Sequence, residues 1–138
     1  MKRHSVIALT WTLLASGCSG TPESVSTRTS LPTCNEDADV YLPAGQGPGD
    51  NEQVSLQALD CFTASLDSDQ RAELAFILMG AEGERYQAIL QSPGDGKVNY
   101  FRENDWGWEV YLGCAEFSLP EPRIPEVAEC DSVDIASR

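Results

Sequence analysis

The chain has 138 residues, with 22 acidic against 9 basic side chains, one histidine and five cysteines, for a formal net charge of −13. That length allows one small domain, and the charge argues against nucleic acid, which demands clustered Lys and Arg, and against adsorption to anionic lipid headgroups. Hydrophobic residues make up 41% of the chain, enough to build a core and too many for a disordered tail.

The N-terminus reads as an export signal. Lys2, Arg3 and His4 are followed by an apolar run from Val6 to Ala15, interrupted only by Thr10 and Thr12, and then by small residues. The run is far short of the roughly 20 residues that a membrane span requires, and the order of segments is that of a secretory signal. Leu14-Ala15-Ser16-Gly17-Cys18 resembles the lipobox of bacterial lipoproteins, with Ala15 where Leu is more usual. In that family the cysteine is diacylated on sulfur and the signal is cut just before it. The resemblance implies a signal peptide over residues 1–17, a lipidated Cys18, and a domain held on the extracytoplasmic face of the cell membrane. In a cell with an outer membrane, Ser19 in place of a retention Asp resembles lipoproteins sent outward.

Cleavage there would remove Lys2, Arg3 and His4, leaving 7 basic and 22 acidic side chains and no histidine. Ser-His-Asp and Cys-His nucleophiles and His-containing zinc sites would then be absent. Residues 18–33, the lipidated Cys and a Ser/Thr/Pro stretch, read as a tether, with the folded domain over 34–138. The turn formers Pro43, Gly45, Gly47, Pro48, Gly49 and Asp50 come next.

A helix is expected from about Asn51 to Leu66, with Asp50 as N-cap and Gln53 three residues later. Its apolar stripe is Val54, Ala58, Cys61, Phe62 and Ser65, widened by Leu59 and Leu66. Ala72–Met79 reads as a strand, Arg85–Gln91 alternates, and Ser92-Pro93-Gly94-Asp95-Gly96 signals a hairpin turn. Val98–Glu103 alternates again. The last strand spans Trp106–Cys114, with Trp106, Trp108, Val110, Leu112 and Cys114 expected on the buried face and Gly107, Glu109, Tyr111 and Gly113 opposite. The expected fold is α+β: one N-terminal helix across a four-stranded antiparallel meander, stapled by two disulfides.

Setting Cys18 aside leaves Cys34, Cys61, Cys114 and Cys130, an even number in an exported chain, with three pairings open. Helix and strand periodicity favours Cys61–Cys114, leaving Cys34–Cys130 to join the ends of the domain. No Cys-x-x-Cys spacing is present, so neither a cysteine metal site nor a redox pair is expected. The acidic stretches Asn35–Asp39 and Asp67–Asp69 lack a calcium-loop pattern, and Gly94-Asp95-Gly96-Lys97 lacks the full phosphate-loop pattern and reads as a turn.

Tyr100, Trp106, Trp108 and Tyr111 are the candidate ligand-binding residues, as an aromatic platform for a sugar ring or an apolar ligand. The competing expectation places the two tryptophans in the core with Val110 and Leu112. Nothing singles out a catalytic carboxylate pair, and no cofactor is expected.

Asp60-Cys61-Phe62, Ala72-Glu73-Leu74, Glu82-Gly83-Glu84, Tyr86, Tyr100, Trp108 and Cys114 together resemble a set of small lipoproteins of high-GC Gram-positive bacteria. The Asp-Pro half of that family's turn is missing at Ala81–Arg85. The resemblance covers about residues 58–116; it implies the helix-plus-meander fold and the Cys61–Cys114 pairing, and carries no activity. The expected role is that of a membrane-anchored, non-catalytic envelope or protein interaction module. The rival expectation is a small-ligand or glycan-binding lipoprotein.

Overall fold

The computed structural model describes residues 25–35, 38–45 and 52–135. The signal region, Cys18, the first part of the expected tether and the Asp50 cap lie outside the described residues.

The elements run β1 (Tyr41–Leu42), α1 (Glu52–Asp67), β2 (Arg71–Met79), β3 (Arg85–Pro93), β4 (Val98–Asn104), β5 (Gly107–Cys114), β6 (Glu116–Ser118), β7 (Glu126–Ala128) and β8 (Ser132–Ile135). The α+β class holds, but the sheet is six-stranded and mixed, in the order β1-β2-β3-β4-β5-β8, with a separate β6–β7 ribbon. The expected four-stranded antiparallel meander is thereby corrected. Strand β1 pairs parallel with β2, and β8 pairs antiparallel with β5. Both are too short for two-residue periodicity to announce them.

The chain beside β2 behaves as an interrupted edge strand. Thr33 bridges Glu73 in parallel fashion, and Cys34 N donates to the Glu73 carbonyl at 2.8 Å. Where the backbone then leaves the sheet, Asn35 substitutes for it. Its Nδ2 donates to Ala75 O at 2.9 Å and its Oδ1 accepts from Ala75 N at 3.2 Å. Pairing resumes at Val40, whose carbonyl accepts from Ile77 N at 2.8 Å.

Helix α1 buries Ser55, Ala58, Leu59 and Phe62. Its stripe is rotated from the expected one, leaving Cys61 exposed at the rim. Two neighbours set the rotation. Tyr41 N donates to Ser55 Oγ at 3.2 Å, docking β1 on the helix, and Phe62 meets Phe117 edge-on at 5.7 Å. The main core joins Leu42, Leu59, Phe62, Leu74, Phe76, Leu90 and Tyr100 between helix and sheet.

Strand β5 departs most from its expected facing. Ile89, Phe101 and Val110, with Trp108 and Leu112 partly buried around them, form a second cluster on the face away from the helix. The residues expected to meet the helix therefore lie on the sheet's back. They are covered in part by Val25, from the stretch expected to be tether. Arg28 secures that stretch: its Nη2 bonds Glu73 Oε1 at 2.8 Å and its Nη1 donates to Val25 O at 2.8 Å. Gln91 Nε2 adds bonds to Glu73 Oε2 at 2.7 Å and Thr29 O at 2.9 Å. Residues 25–33, within the stretch expected to be a tether, thus form a strap packed on the domain.

A bulge then breaks the alternation of β5. Val98 pairs with Cys114 but Tyr100 pairs with Tyr111, so β5 carries one extra residue. Gly113 takes φ +62, a conformation that costs glycine little, and its N–H donates to Asn99 Oδ1 at 2.8 Å. The slip moves Cys114 to the same face as Val98 and Tyr100. Its partner is Cys130, 16 residues on, while Cys34 bonds Cys61, 27 residues on. The expected Cys61–Cys114 and Cys34–Cys130 pairings are corrected: the helix packs on β1, β2 and β3, and Cys61 meets Cys34 at the outer edge of β2, with β2, β3 and β4 between it and Cys114 on β5.

Candidate functional site

Because α1 covers only the β1–β3 side, the helix-side face over β4, β5 and β8 has a different composition. Arg102 and Glu109 are directly opposed across β4 and β5. Glu109 Oε2 accepts from Arg102 Nε at 3.0 Å, from Arg102 Nη2, and from the Tyr111 hydroxyl at 3.0 Å, while Oε1 accepts from Asn104 Nδ2 at 3.0 Å. Burial pushes the Glu109 carboxyl up, but the donors from Asn104, Arg102 and Tyr111 outweigh it and hold its pKa below the ordinary carboxylate value. Tyr111 is raised, by burial first and then by its bond to Glu109.

Beside this cluster Tyr100 is 2% exposed, stacked on Phe76 at 6.3 Å and on Tyr111 at 6.0 Å. Its hydroxyl has no hydrogen-bond partner among the described residues. A buried polar group left this way typically costs about 1–3 kcal/mol. Burial raises the Tyr100 pKa to about 12, against the pull of the nearby Arg102 guanidinium. Tyr100, Arg102 and Tyr111 form one wall of a cleft of about 240 Å³, closed on the other side by Pro125, Glu126 and Val127 from the β6–β7 ribbon.

The outer boundary of this region is β8. Val133 lies opposite Tyr111 and Ile135 opposite Glu109, so both share the helix-side face, and they are 49% and 52% exposed. All four residues of β8 are exposed, and its outer edge pairs with no other described strand. The opposite edge is different: β1 has two residues, both buried, and runs into Pro43.

The four sequence-derived candidates do not form one platform. Tyr100 and Tyr111 stack together in the cleft wall, whereas Trp108 is half-buried on the opposite face of the sheet. Trp106 stands at the β4–β5 turn, 56% exposed, which corrects its expected place in the core. Reasoning from sequence missed Arg102, Glu109, Val133 and Ile135. The alternations Tyr100-x-Arg102 and Glu109-x-Tyr111 do place two polar–aromatic pairs in phase, and were the available signal for the first two. Ser132–Ile135 is too short to carry one.

The turn reading of Gly94–Lys97 agrees with the structure: Gly94 and Gly96 have positive φ, and Asp95 Oδ1 accepts from Lys97 N at 3.0 Å. Among the described residues no group of three or more His, Cys, Asp or Glu side chains is placed to hold a metal ion. No described helix is long and apolar enough to cross a membrane. No family model, curated protein or solved structure matches the chain.

Proposed function

We propose that the protein is a lipid-anchored, extracytoplasmic lipoprotein that acts by binding a protein partner rather than by catalysis. Two disulfides suit an oxidising compartment. With Cys18 as anchor, the packed strap begins only seven residues later, at Val25. Seven extended residues reach at most about 25 Å, so the domain would sit close against the membrane. A non-catalytic role is supported by the pairing of all four domain cysteines and by the loss of the only histidine, His4, on cleavage.

The observation that carries the partner reading is the open edge of β8. Its outer edge pairs with no other described strand, and it carries the exposed Val133 and Ile135, the arrangement that accepts an added strand. With a net charge of −13 on the whole chain, two copies repel, and a partner supplying an extended segment rich in Lys or Arg is favoured.

A photo-crosslinking residue at position 133, expressed in the native cell, tests the surface. Position 57 on the exposed side of α1 serves as control. The expected result is a discrete adduct at 133, absent at 57 and lost on Asp134→Lys. Equal labelling at both positions, or none at 133, would refute the docking edge. Cys18→Ser tests the anchor separately. It is expected to move the chain from the membrane to the soluble fraction, and a wild-type chain already soluble would overturn lipidation.

A further inference from the structure

The face of the sheet turned away from α1 has an incomplete cover. By register Ile77, Ile89, Phe101, Trp108 and Val110 share it. The strap shields only part of it: Trp108 and Leu112 stay half-buried, and Trp106 stands 56% exposed at the adjoining β4–β5 turn. The strap also fixes where the chain leaves the domain. Followed toward the N-terminus, it starts at the outer edge of β2, where Pro32 O accepts from Glu73 N at 2.7 Å. It then crosses the back of the sheet. Thr29 O reaches Gln91 on β3, and Val25 packs on Ile89, Phe101 and Val110, from β3, β4 and β5. The chain therefore departs from the middle of this face, and Cys18 stands seven residues earlier. Those seven residues reach at most about 25 Å. Passing from Val25 round the β8 edge to the outer surface of the helix side would use about 10 Å across the strands. It would use about 15 Å more past the depth of the sheet and the thickness of a helix. Nothing is then left to reach a bilayer on that side.

We propose that the back of the sheet rests on the bilayer that holds the anchor, with Trp106, Trp108 and Leu112 seated among the headgroups and the upper acyl chains. The inference rests on the lipidation of Cys18. Charge favours the same orientation. The strands of this face and the strap carry Arg28, Arg71 and Arg85 against Glu73, Glu103 and Asp134, an even balance, with Asp39 at the β1 rim. The whole chain is at −13, and its surplus acid stands on α1 and the loops, as at the exposed Asp60, Asp67, Glu121 and Glu129. An anionic surface repels that remainder and leaves the neutral back as the side that can approach it. Tryptophan suits the depth, since its ring is apolar and its N–H bonds within the headgroup layer. The open edge of β8 lies at the side of the sheet, so this placement keeps it free for an added strand.

The full chain, processed by its cell, is reconstituted into vesicles of phosphatidylcholine and phosphatidylglycerol, the former brominated near the headgroup end of its chains. Removal of the signal takes Trp11 away, so Trp106→Phe and Trp108→Phe each leave one reporter. A third variant, Trp106→Phe/Trp108→Phe/Gln57→Trp, reports from the exposed side of α1. The unaltered chain is measured alongside, and melting temperatures confirm that the variants fold. Brominated lipid is expected to cut the emission from positions 106 and 108 about twofold or more, and to leave position 57 unchanged. Equal quenching at all three positions overturns the orientation. So does emission at 106 and 108 that the brominated lipid leaves intact. Iodide then tells a domain held off the bilayer, where Trp106 is quenched, from a face covered by a bound protein, where it is not. Intact mass separates this failure from that of the anchor. A chain without acyl groups overturns lipidation and the proposal together, whereas an acylated chain with unquenched tryptophans overturns the orientation alone.

Discussion

The helix-side face of this sheet has two halves of unlike chemistry. Over β1–β3 it is closed by α1, and Leu42, Phe62, Leu74 and Leu90 are fully buried there. Over β4, β5 and β8 it carries Arg102, Glu109 and Tyr111 in one hydrogen-bonded cluster, a cleft, and an edge strand with Val133 and Ile135 exposed. The first half holds the domain together by exclusion of water. The second carries a polar cluster and a strand edge that pairs with no other described strand. Helix α1 packs on β1, β2 and β3, so the other half of this face is left without a helical cover.

The sharpest contrast comes from Phe62→Ala. Removing a ring that is 0% exposed and edge-on to Phe117 should cost about 3–5 kcal/mol by thermal or urea unfolding. A cost below about 1 kcal/mol would show that the helix-covered half is not the stabilising one. Next is the staple of the open half. The Cys114→Ala/Cys130→Ala double variant should lose about 3 kcal/mol, the chain-entropy value for a loop of this length. Amide exchange should rise over β6–β8 before it rises in β2 and β3. A uniform rise across the whole sheet would mean that the two halves open as one.

Glu109→Ala should cost about 1–2 kcal/mol, because it strands the donors of Arg102, Asn104 and Tyr111, with Arg102 one-third exposed and partly rescued by water. The cluster also predicts an acid limb. The folded Glu109 pKa is depressed, so its contribution is present above the unfolded carboxylate pKa, about 4.3, and is lost as pH falls through the lower folded value. Glu109→Gln should flatten that part of the stability profile; an unchanged profile would remove Glu109 from the account. At the alkaline end Tyr100 acts in the other direction. Its contribution is complete below pH about 10 and is lost as pH rises toward 12. Tyr100→Phe should remove that limb.

The smallest effect belongs to Trp106→Ala. A residue 56% exposed at a turn should change stability by no more than about 0.5 kcal/mol. The same change should abolish most of the iodide-quenchable fluorescence of the domain, since Trp108 is half-buried. Strong quenching that survives the substitution would place Trp108, not Trp106, at the surface.

The helix and the strands β2 to β5 were legible because each is long enough for its period to show. Expected bounds such as Asn51–Leu66 and Ala72–Met79 differ from the observed ones by about one residue at the ends described. The facing of β5 was not legible. Trp108, Val110 and Leu112 form an apolar row, and an apolar row predicts burial without saying what buries it. Here the back strap, through Val25, takes that role while Tyr111 faces the helix side. The cystine pairing failed for the same reason, compounded by the bulge at Gly113 that moved Cys114 to the other face. Of the candidate site, Tyr100 and Tyr111 were legible as aromatics in alternating strands. Their partners Arg102 and Glu109 were hidden because the polar side of an amphipathic strand is ordinarily left to solvent.

Sequence alone determined the α+β class, helix α1 and the strand segments β2 to β5, since these follow from local period, turn residues and chain length. Tertiary structure alone decided which face the helix covers, that the sheet gains short edge strands on both sides, which cysteines meet, and that Arg102, Glu109 and Tyr111 join in one hydrogen-bonded cluster. The reason is physical. Periodicity records that a segment has an apolar side, but both faces of this sheet have one. The choice between them rests on contacts between residues far apart in the chain, such as Val25 with the cluster of Ile89, Phe101 and Val110, and Phe62 with Phe117.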